Sequence, residues 1–229
     1  DIDVSRTPGK IGGVMLMLKL YRLLPKMRDY DVVQLINPIF FFFFPKQLFF
    51  FYNYIRKHNR KVFLGAFGMD WYWVHTCTFE KPLRYSDFNI GTTTRTNKDA
   101  IKEQKEWLET TKGELNRMIA NDCDGIITGL YEYQVCYATK FPNKTTFIPF
   151  PIKQQKVTPT KNKRIKLFIG ISKGRSEYKG TDIMLEAAEN IVNKYPELVE
   201  LQKAEGIPFE EYEKMMNGSD AILDQLYSY

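Results

Sequence analysis

Cysteine is scarce in this 229-residue chain, and its scarcity limits the kinds of site the protein can hold. The three cysteines, Cys77, Cys123 and Cys136, form no Cys-x-x-Cys motif and cannot all pair with one another. This pattern argues against a disulfide framework and against a structural zinc site, and it favours a reducing compartment.

Long apolar runs are also lacking, although residues 39–52 (IFFFFFPKQLFFFY) come near to one. A membrane span needs about 20 apolar residues, and Pro45-Lys46-Gln47 interrupts this run too early. Two interpretations stay open for the segment. It forms either a loop and the first turns of a core helix that continues through His58, or an aromatic rim that touches lipid beside basic neighbours.

Acidic residues are few in the first quarter of the chain. Residues 1–60 hold ten Lys and Arg against four Asp, a local charge of +6 that equals the net charge of the whole protein. This imbalance indicates an anionic partner. A nucleic acid is a poor candidate, because the aromatics lie in apolar blocks and do not alternate with Arg and Lys as a stacking platform requires.

Strand and helix patterns alternate along the rest of the chain, which is typical of an α/β protein with parallel sheets. The segment after Pro149 is rich in Lys, Gln, Thr and Pro, so we expect a linker at 153–164 between a domain at 1–152 and a domain at 165–229. The patterns predict strands at 31–36, 61–66, 125–128, 145–148, 165–171, 198–201 and 221–223, with a short one possible at 88–92. They predict helices at 10–27 (ended by Pro25), 97–121 and 131–139, and one that starts at Pro208 and buries Phe209.

The most informative stretch runs from Arg164 to Lys194. A buried strand is followed by a basic loop, and Thr181 can then cap a helix with Asp182 in its first turn. A basic loop at a helix N-terminus suits an anion, because free N–H groups and the helix dipole face it. The alternative is a solvated connection that holds lysines by chance. The loop carries Lys173, Gly174, Arg175, Lys179 and Gly180.

The order of these residues resembles the donor-diphosphate loop of GT-B glycosyltransferases, in particular the bacterial group 1 enzymes of polysaccharide and lipopolysaccharide assembly. The resemblance implies that Arg175 and Lys179 hold the diphosphate of a nucleotide sugar, with Lys179 also acting in catalysis. It implies that Gly174 and Gly180 let the backbone approach the donor closely. It extends from Asp31 to Tyr229 and is weakest over residues 1–30.

The resemblance implies a GT-B-like fold of two Rossmann-like, doubly wound domains. The implied enzyme is metal-independent, has no cofactor besides its nucleotide-sugar substrate, and transfers a sugar to a hydroxyl of a glycan or lipid-linked acceptor. The implied location is cytoplasmic, peripheral at the inner membrane on an anionic surface. Because the chain starts at Asp1 and stops before the family's paired glutamates, we expect a fragment that is incomplete at both ends and inactive alone.

Four further residues are site candidates because they follow predicted strands or lie near them. Asn37 is either a cleft residue or a turn residue before proline. The resemblance implies that Asp70 is a catalytic-site residue that accepts hydrogen bonds from sugar hydroxyls. Alternatively, Asp70 caps the helix that follows it. His75 is a candidate for acceptor contact or base, against a structural histidine. Asp224 lies at the end of the last strand.

Two Asp-x-Asp triplets, Asp1/Asp3 and Asp122/Asp124, are not interpreted as metal sites, because the second precedes its strand and such triplets are common by chance. The competing function is a non-catalytic, doubly wound module that binds a phosphate or nucleotide for regulation or scaffolding. Likeness of fold alone does not exclude it.

Overall fold

The computed structural model describes residues 9–152, 162–172 and 176–227, and the chain divides into two units. The first unit is Asp1–Arg84 with Phe88–Pro151, and the second is Tyr85–Asp87 with Ile152–Tyr229. Most of the predicted linker lies outside the described residues.

The first unit is a parallel sheet with helices between its strands. Its helices are α1 Gly9–Leu23, α2 Pro45–His58, α3 Trp71–His75, α4 Lys98–Leu108, α5 Thr111–Asp122 and α6 Tyr131–Ala138, with a 3-10 turn at Leu24–Lys26 and a π-helical turn at Thr76–Glu80. Its strands are β1 Val32–Leu35, β2 Lys61–Ala66, β3 Asn89–Ile90, β4 Thr93–Thr94, β5 Gly125–Thr128 and β6 Thr145–Phe147.

The main sheet of this unit has the strand order β1-β2-β5-β6, with every neighbouring pair parallel. The predicted parallel α/β architecture is therefore confirmed. The register sets Leu64 of β2 beside Ile126 of β5 at the centre of the sheet, and both side chains are buried. A doubly wound sheet reverses its strand order at one point, whereas the described strands of this sheet follow the order of the chain.

The second unit is a smaller parallel sheet of three described strands. Its elements are β7 Ile165–Ile171, α7 Ser176–Lys179, α8 Thr181–Lys194, β8 Val199–Glu205, α9 Phe209–Asn217 and β9 Ala221–Leu223. The order β8-β7-β9 puts β7 in the middle. After β8 the chain forms β9 on the opposite side of β7, so the strand order of this sheet reverses.

The long helix predicted over 97–121 is wrong, because the chain bends there and forms α4 and α5. The Thr110 side chain accepts a hydrogen bond from the Lys112 N–H and caps the start of α5. Gly113 then passes so close to α4 that an added Cβ would lie 2.0 Å from the Trp107 carbonyl oxygen. A cap and a glycine in succession allow the turn that the helical periodicity conceals.

Two smaller expectations also need correction. Residues 88–92 form no single strand but belong to the hairpin β3–β4, which turns at Gly91 with a φ of 56°. Phe209 does not lie on a buried face and is 75% exposed, because Pro208 caps α9 and leaves Phe209 as the first residue of the helix.

The phenylalanine segment is partly buried and partly exposed. Pro45 starts α2, and this helix continues to His58 as the core alternative predicts. Phe43, Leu48 and Phe51 are buried in the core of the first unit. Other phenylalanines of the segment face solvent, namely Phe42 (81% exposed), Phe44 (58%) and Phe50 (45%).

Candidate functional site

The reversal of strand order in the second sheet marks the kind of position at which parallel α/β sheets bind ligands. The carboxyl ends of β7 and β9 are adjacent, because the two strands pair in parallel. In open parallel sheets ligands bind outside the carboxyl ends of the strands at such a switch point. The segment after β7 leads into α7 and α8, and the segment after β9 runs from Asp224 to Tyr227.

Lys179 and Asp224, two residues predicted separately, are in contact at this switch point. The Lys179 Nζ lies 3.1 Å from the Asp224 Oδ1. The Lys179 carbonyl also accepts a hydrogen bond of 2.8 Å from the Leu226 N–H, which holds the segment after β9 against the end of α7. The lysine side chain keeps 32% exposure and the aspartate 73%, so an external anion can reach this ion pair.

Gly180 links α7 to α8 and is required by its backbone geometry. Its φ is +68°, a left-handed conformation that glycine adopts without strain. A Cβ there would lie 2.9 Å from the Leu226 Cβ and 3.1 Å from the Tyr227 Cε2. The prediction that Thr181 caps the helix is wrong, because Gly180 occupies the cap and Thr181 is the first helical residue, 2% exposed.

Lys173, Gly174 and Arg175 lie outside the described residues, so the second predicted cation of this loop stays a prediction from sequence. Residues 176–179, predicted as part of the loop, instead form α7, which ends at the partly exposed Lys179. The left-handed Gly180 and the start of the fourteen-residue helix α8 follow. Together these features provide a cation and the positive end of a helix dipole at one edge of the sheet.

Asp70, expected to face a cleft, is instead completely buried in the first unit. Its Oδ1 accepts a hydrogen bond of 2.8 Å from the Trp73 N–H and caps α3. Its Oδ2 accepts one of 2.8 Å from the Tyr137 hydroxyl, which in turn accepts from the Asn116 side-chain amide at 3.1 Å. The cap alternative therefore describes this residue, because both carboxylate oxygens already have partners in the core.

Burial changes the acid–base behaviour of this cluster. Removal from water raises the pKa of Asp70 to about 7, and the hydrogen bonds from the Trp73 N–H and the Tyr137 hydroxyl only partly oppose the rise. Burial and the neighbouring carboxylate raise the pKa of Tyr137 well above its usual value. Asp70 is thus a titrating group near neutral pH that solvent does not reach.

Asn37 and His75 each have local partners in the first unit. The Asn37 Oδ1 accepts a hydrogen bond of 2.9 Å from the Ile39 N–H, the geometry of a turn residue around Pro38. The His75 ring stacks on Trp71 with centroids 4.4 Å apart, and its Nδ1 lies 3.5 Å from the Glu80 Oε1. Burial lowers the pKa of His75 despite this carboxylate.

The acidic triplet of the first unit takes part in an ion-pair network. Arg56 contacts Asp122 at 3.1 Å and Asp124 at 2.9 Å, and Lys61 contacts Asp124 at 3.1 Å. The Tyr52 hydroxyl also donates to Asp122 at 2.7 Å. Within the described ranges no group of three or more metal-ligating side chains comes together. Asp1 and Asp3 lie outside those ranges.

Several contacts of these residues join parts of the chain that are far apart in sequence. Tyr137 lies 67 residues from Asp70 in sequence, and Leu226 lies 47 residues from Lys179, so no local pattern connects them. The chain matches no protein-family model, no curated protein and no solved structure.

Proposed function

We propose that the protein binds the diphosphate of a nucleotide sugar at the switch point of the second sheet and transfers the sugar to a hydroxyl acceptor. The observation that carries the proposal is the partly exposed Lys179 at the carboxyl ends of β7 and β9, beside the left-handed Gly180 that opens α8. Its charge and its position suit a phosphorylated ligand.

In the proposed reaction the bond between the sugar C1 and the diphosphate oxygen breaks, and a bond forms between C1 and the acceptor oxygen. The acceptor hydroxyl loses its proton, and negative charge develops on the leaving diphosphate. In this proposal Lys179 offsets the charge, and Arg175 is the second cation that the sequence predicts for the same role. This chemistry needs no metal in the loop.

The ion pair with Asp224 is compatible with this role because it is weak. Exposed pairs of this kind contribute up to about 1 kcal/mol. A diphosphate carries more negative charge than one carboxylate and gains about 1.5–3 kcal/mol from a charge-assisted hydrogen bond. The ligand therefore displaces Asp224 from Lys179 without disturbing the sheet.

Calorimetric titration of UDP, GDP and ADP into the protein tests the binding step. Lys179→Ala should weaken the binding of the preferred nucleotide about 10- to 100-fold, which corresponds to the loss of one charge-assisted hydrogen bond. The matched control is Lys203→Ala, which removes another lysine of the second unit that is paired with a carboxylate, Glu189. Equal affinities of Lys179→Ala and the unchanged protein would remove the main support for the proposal.

A non-catalytic phosphate-binding module is the second candidate, and one observation favours it. The carboxylate expected to act in the first unit, Asp70, is enclosed and saturated by its own partners. A protein that binds a nucleotide but lacks a reachable catalytic group would serve regulation or scaffolding.

Transfer or hydrolysis of a radiolabelled nucleotide sugar separates the two candidates. Turnover that falls in Lys179→Ala by more than the loss of ground-state binding supports transfer, since it shows that Lys179 acts on the leaving group. Nucleotide binding that depends on Lys179, without release of labelled sugar, supports the binding module.

A further inference from the structure

The first unit presents a continuous surface that is both apolar and positively charged, formed by α1 and by residues 42–50. We call it the aromatic–basic face. Its apolar members are all exposed by more than two fifths, and its three cations are exposed as well. The face comprises Ile11, Val14, Met15, Leu18, Tyr21, Phe42, Phe44 and Phe50, with the cations Lys19, Arg22 and Lys46.

The two segments of this face are distant in sequence and meet only in the folded unit. A groove of about 390 Å³ between them is lined by Val14 and Met17 of α1 and by Phe43 and Phe44. Further along α1 the Tyr21 and Phe50 rings lie 5.4 Å apart. A second groove of about 530 Å³ along α1 is lined by Met15, Leu18, Lys19 and Arg22, among others.

The inner side of α1 packs into the core of the first unit. Leu16 is 3% exposed and Leu20 is completely buried, whereas Ile11 is 78% exposed and Met15 61%. The exposed side chains therefore belong to a docked helix that still presents apolar groups outwards. Contiguous apolar surface of this kind marks an interaction site.

Charge indicates which partner covers the face. Residues 9–28 contain five Lys and Arg, and residues 32–60 contain four, with no Asp or Glu in either range. A symmetric pair of copies would set Lys19, Arg22 and Lys46 against the same cations, and like charges across an interface oppose association. An anionic partner removes this repulsion.

We propose that the aromatic–basic face binds the surface of an anionic lipid bilayer. Phe42 and Phe44 enter the boundary between headgroups and acyl chains, and the three cations contact lipid phosphates, which is how interfacial proteins bind. No helix in the described ranges has the length and hydropathy for a bilayer crossing. With fifteen residues α1 is roughly 22 Å long, so it lies along the surface.

The proposal concerns a different unit from the nucleotide site and does not depend on the proposed function. Co-sedimentation of the protein with vesicles of phosphatidylcholine, with and without phosphatidylglycerol, tests it directly. We expect binding to the anionic vesicles that weakens at high salt and much weaker binding to the neutral ones.

A charge variant with a matched control sharpens the test. Lys19→Gln/Arg22→Gln/Lys46→Gln should weaken binding to anionic vesicles roughly 100-fold, since each basic residue near such a surface contributes about fivefold. Lys98→Gln/Lys102→Gln/Lys105→Gln removes the same charge from exposed positions of α4 and should change binding about twofold or less. Equal losses in both variants would overturn the proposed face.

An aromatic variant tests the apolar contribution in the same way. Phe42→Ser/Phe44→Ser should weaken binding about tenfold or more, because apolar area leaves water on docking. The control Phe209→Ser changes a phenylalanine of similar exposure in the second unit and should have no effect. Tryptophan fluorescence for the first unit, and circular dichroism for both units, confirm that each variant is folded.

Two results would overturn the proposal. Negligible binding of the unchanged protein to both kinds of vesicle would exclude a lipid partner. Concentration-dependent self-association in sedimentation velocity, abolished by Phe42→Ser/Phe44→Ser while vesicles have no effect, would show that a second copy covers the face.

Discussion

The two units of this protein have parallel sheets of the same kind but bury very different amounts of apolar surface. In the first unit large side chains such as Trp73, Tyr52 and Phe51 are almost completely buried in one continuous cluster. In the described part of the second unit Phe168 and Ile169 are fully buried, but Ile183 and Ile222 remain about half exposed.

The same alternation of strands and helices can therefore give units of unequal stability. Stability grows with the apolar area removed from water, and a three-stranded sheet with α9 lacking any buried residue removes little. We therefore expect the second unit, which carries the proposed nucleotide site, to unfold before the first. Parts of low local stability are also those that rearrange most easily around a ligand.

The tryptophans allow this comparison to be measured. The chain has three, Trp71, Trp73 and Trp107, and all belong to the first unit. Tryptophan fluorescence therefore follows the first unit alone, while circular dichroism follows both. Two separate transitions in urea would establish the difference.

The largest expected effect comes from Phe168→Ala at the centre of β7. Phe168 is fully buried and packs edge-on against Tyr212 with centroids 5.0 Å apart. Loss of the ring should cost about 3–5 kcal/mol. We expect the circular dichroism transition of the second unit to vanish or to shift to low urea, while the fluorescence transition stays in place.

Phe51→Ala in the first unit is the matched variant. It removes an equally buried ring and should move the fluorescence transition instead. If either variant moved both signals together, the two units would unfold as one, and the comparison above would be wrong.

The next largest effect is the pH dependence of the stability of the first unit, which Asp70 causes. Its pKa is about 7 in the folded state and about 3.9 in an unfolded chain. The folded state therefore binds more protons between these values, and stability falls as pH rises through 7. From pH 5 to pH 8 this group alone should lower the free energy of unfolding by roughly 2–3 kcal/mol.

Asp70→Asn supplies the reference for this prediction. The amide does not titrate, and it keeps an oxygen that accepts from the Trp73 N–H. Its NH₂ group donates to the Tyr137 hydroxyl oxygen, which reverses the direction of that hydrogen bond. Urea unfolding followed by fluorescence at several pH values should give a flatter profile for the variant. Parallel profiles of the two proteins would mean that Asp70 titrates in its ordinary range.

A smaller effect is expected from Gly180→Ala in the second unit. A side chain at a φ of +68° costs about 1–2 kcal/mol, and the new Cβ also meets Leu226. The circular dichroism transition should move to lower urea without a change in fluorescence. Gly206→Ala is the control, because its φ of 63° is similar but its added Cβ meets nothing within 4 Å. If the transition shifted no more than it does in the control, the contact with Leu226 would not contribute to the loss of stability.

The smallest effect concerns nucleotide affinity in Asp224→Asn. The change removes the anion that competes for Lys179, and an exposed pair of this kind contributes up to about 1 kcal/mol. Nucleoside diphosphate should then bind up to about fivefold more tightly. Weaker binding in calorimetry would show instead that Asp224 positions the lysine for the ligand.

Local patterns predicted the strands well, because a short branched apolar run bounded by turn residues leaves few other choices. The strands at 61–66, 125–128, 165–171 and 221–223 have the predicted bounds. Helix ends were harder to predict, since the Thr110 cap and the close approach at Gly113 compete with a helical period that continues past them.

The candidate site could be predicted from sequence only where its residues are close neighbours along the chain. Lys179 and Gly180 follow a strand and precede a helix, so their position at the edge of a sheet is a consequence of sequence order. Asp70 also follows a strand, and the same rule predicted exposure for it. It is buried instead, because Tyr137 and Asn116 from two other helices close over it.

Sequence alone is enough to predict the α/β class, most strands, the basic character of the segment after β7 and the uneven distribution of charge. These features depend on neighbours within a few residues, whose periodicity and turn chemistry act before any distant contact forms. Three features arise only in the folded chain, namely the contact of Lys179 with Asp224, the burial of Asp70 and the packing of α1 beside Phe42–Phe50. Each joins segments far apart in the chain, and long-range packing selects their partners.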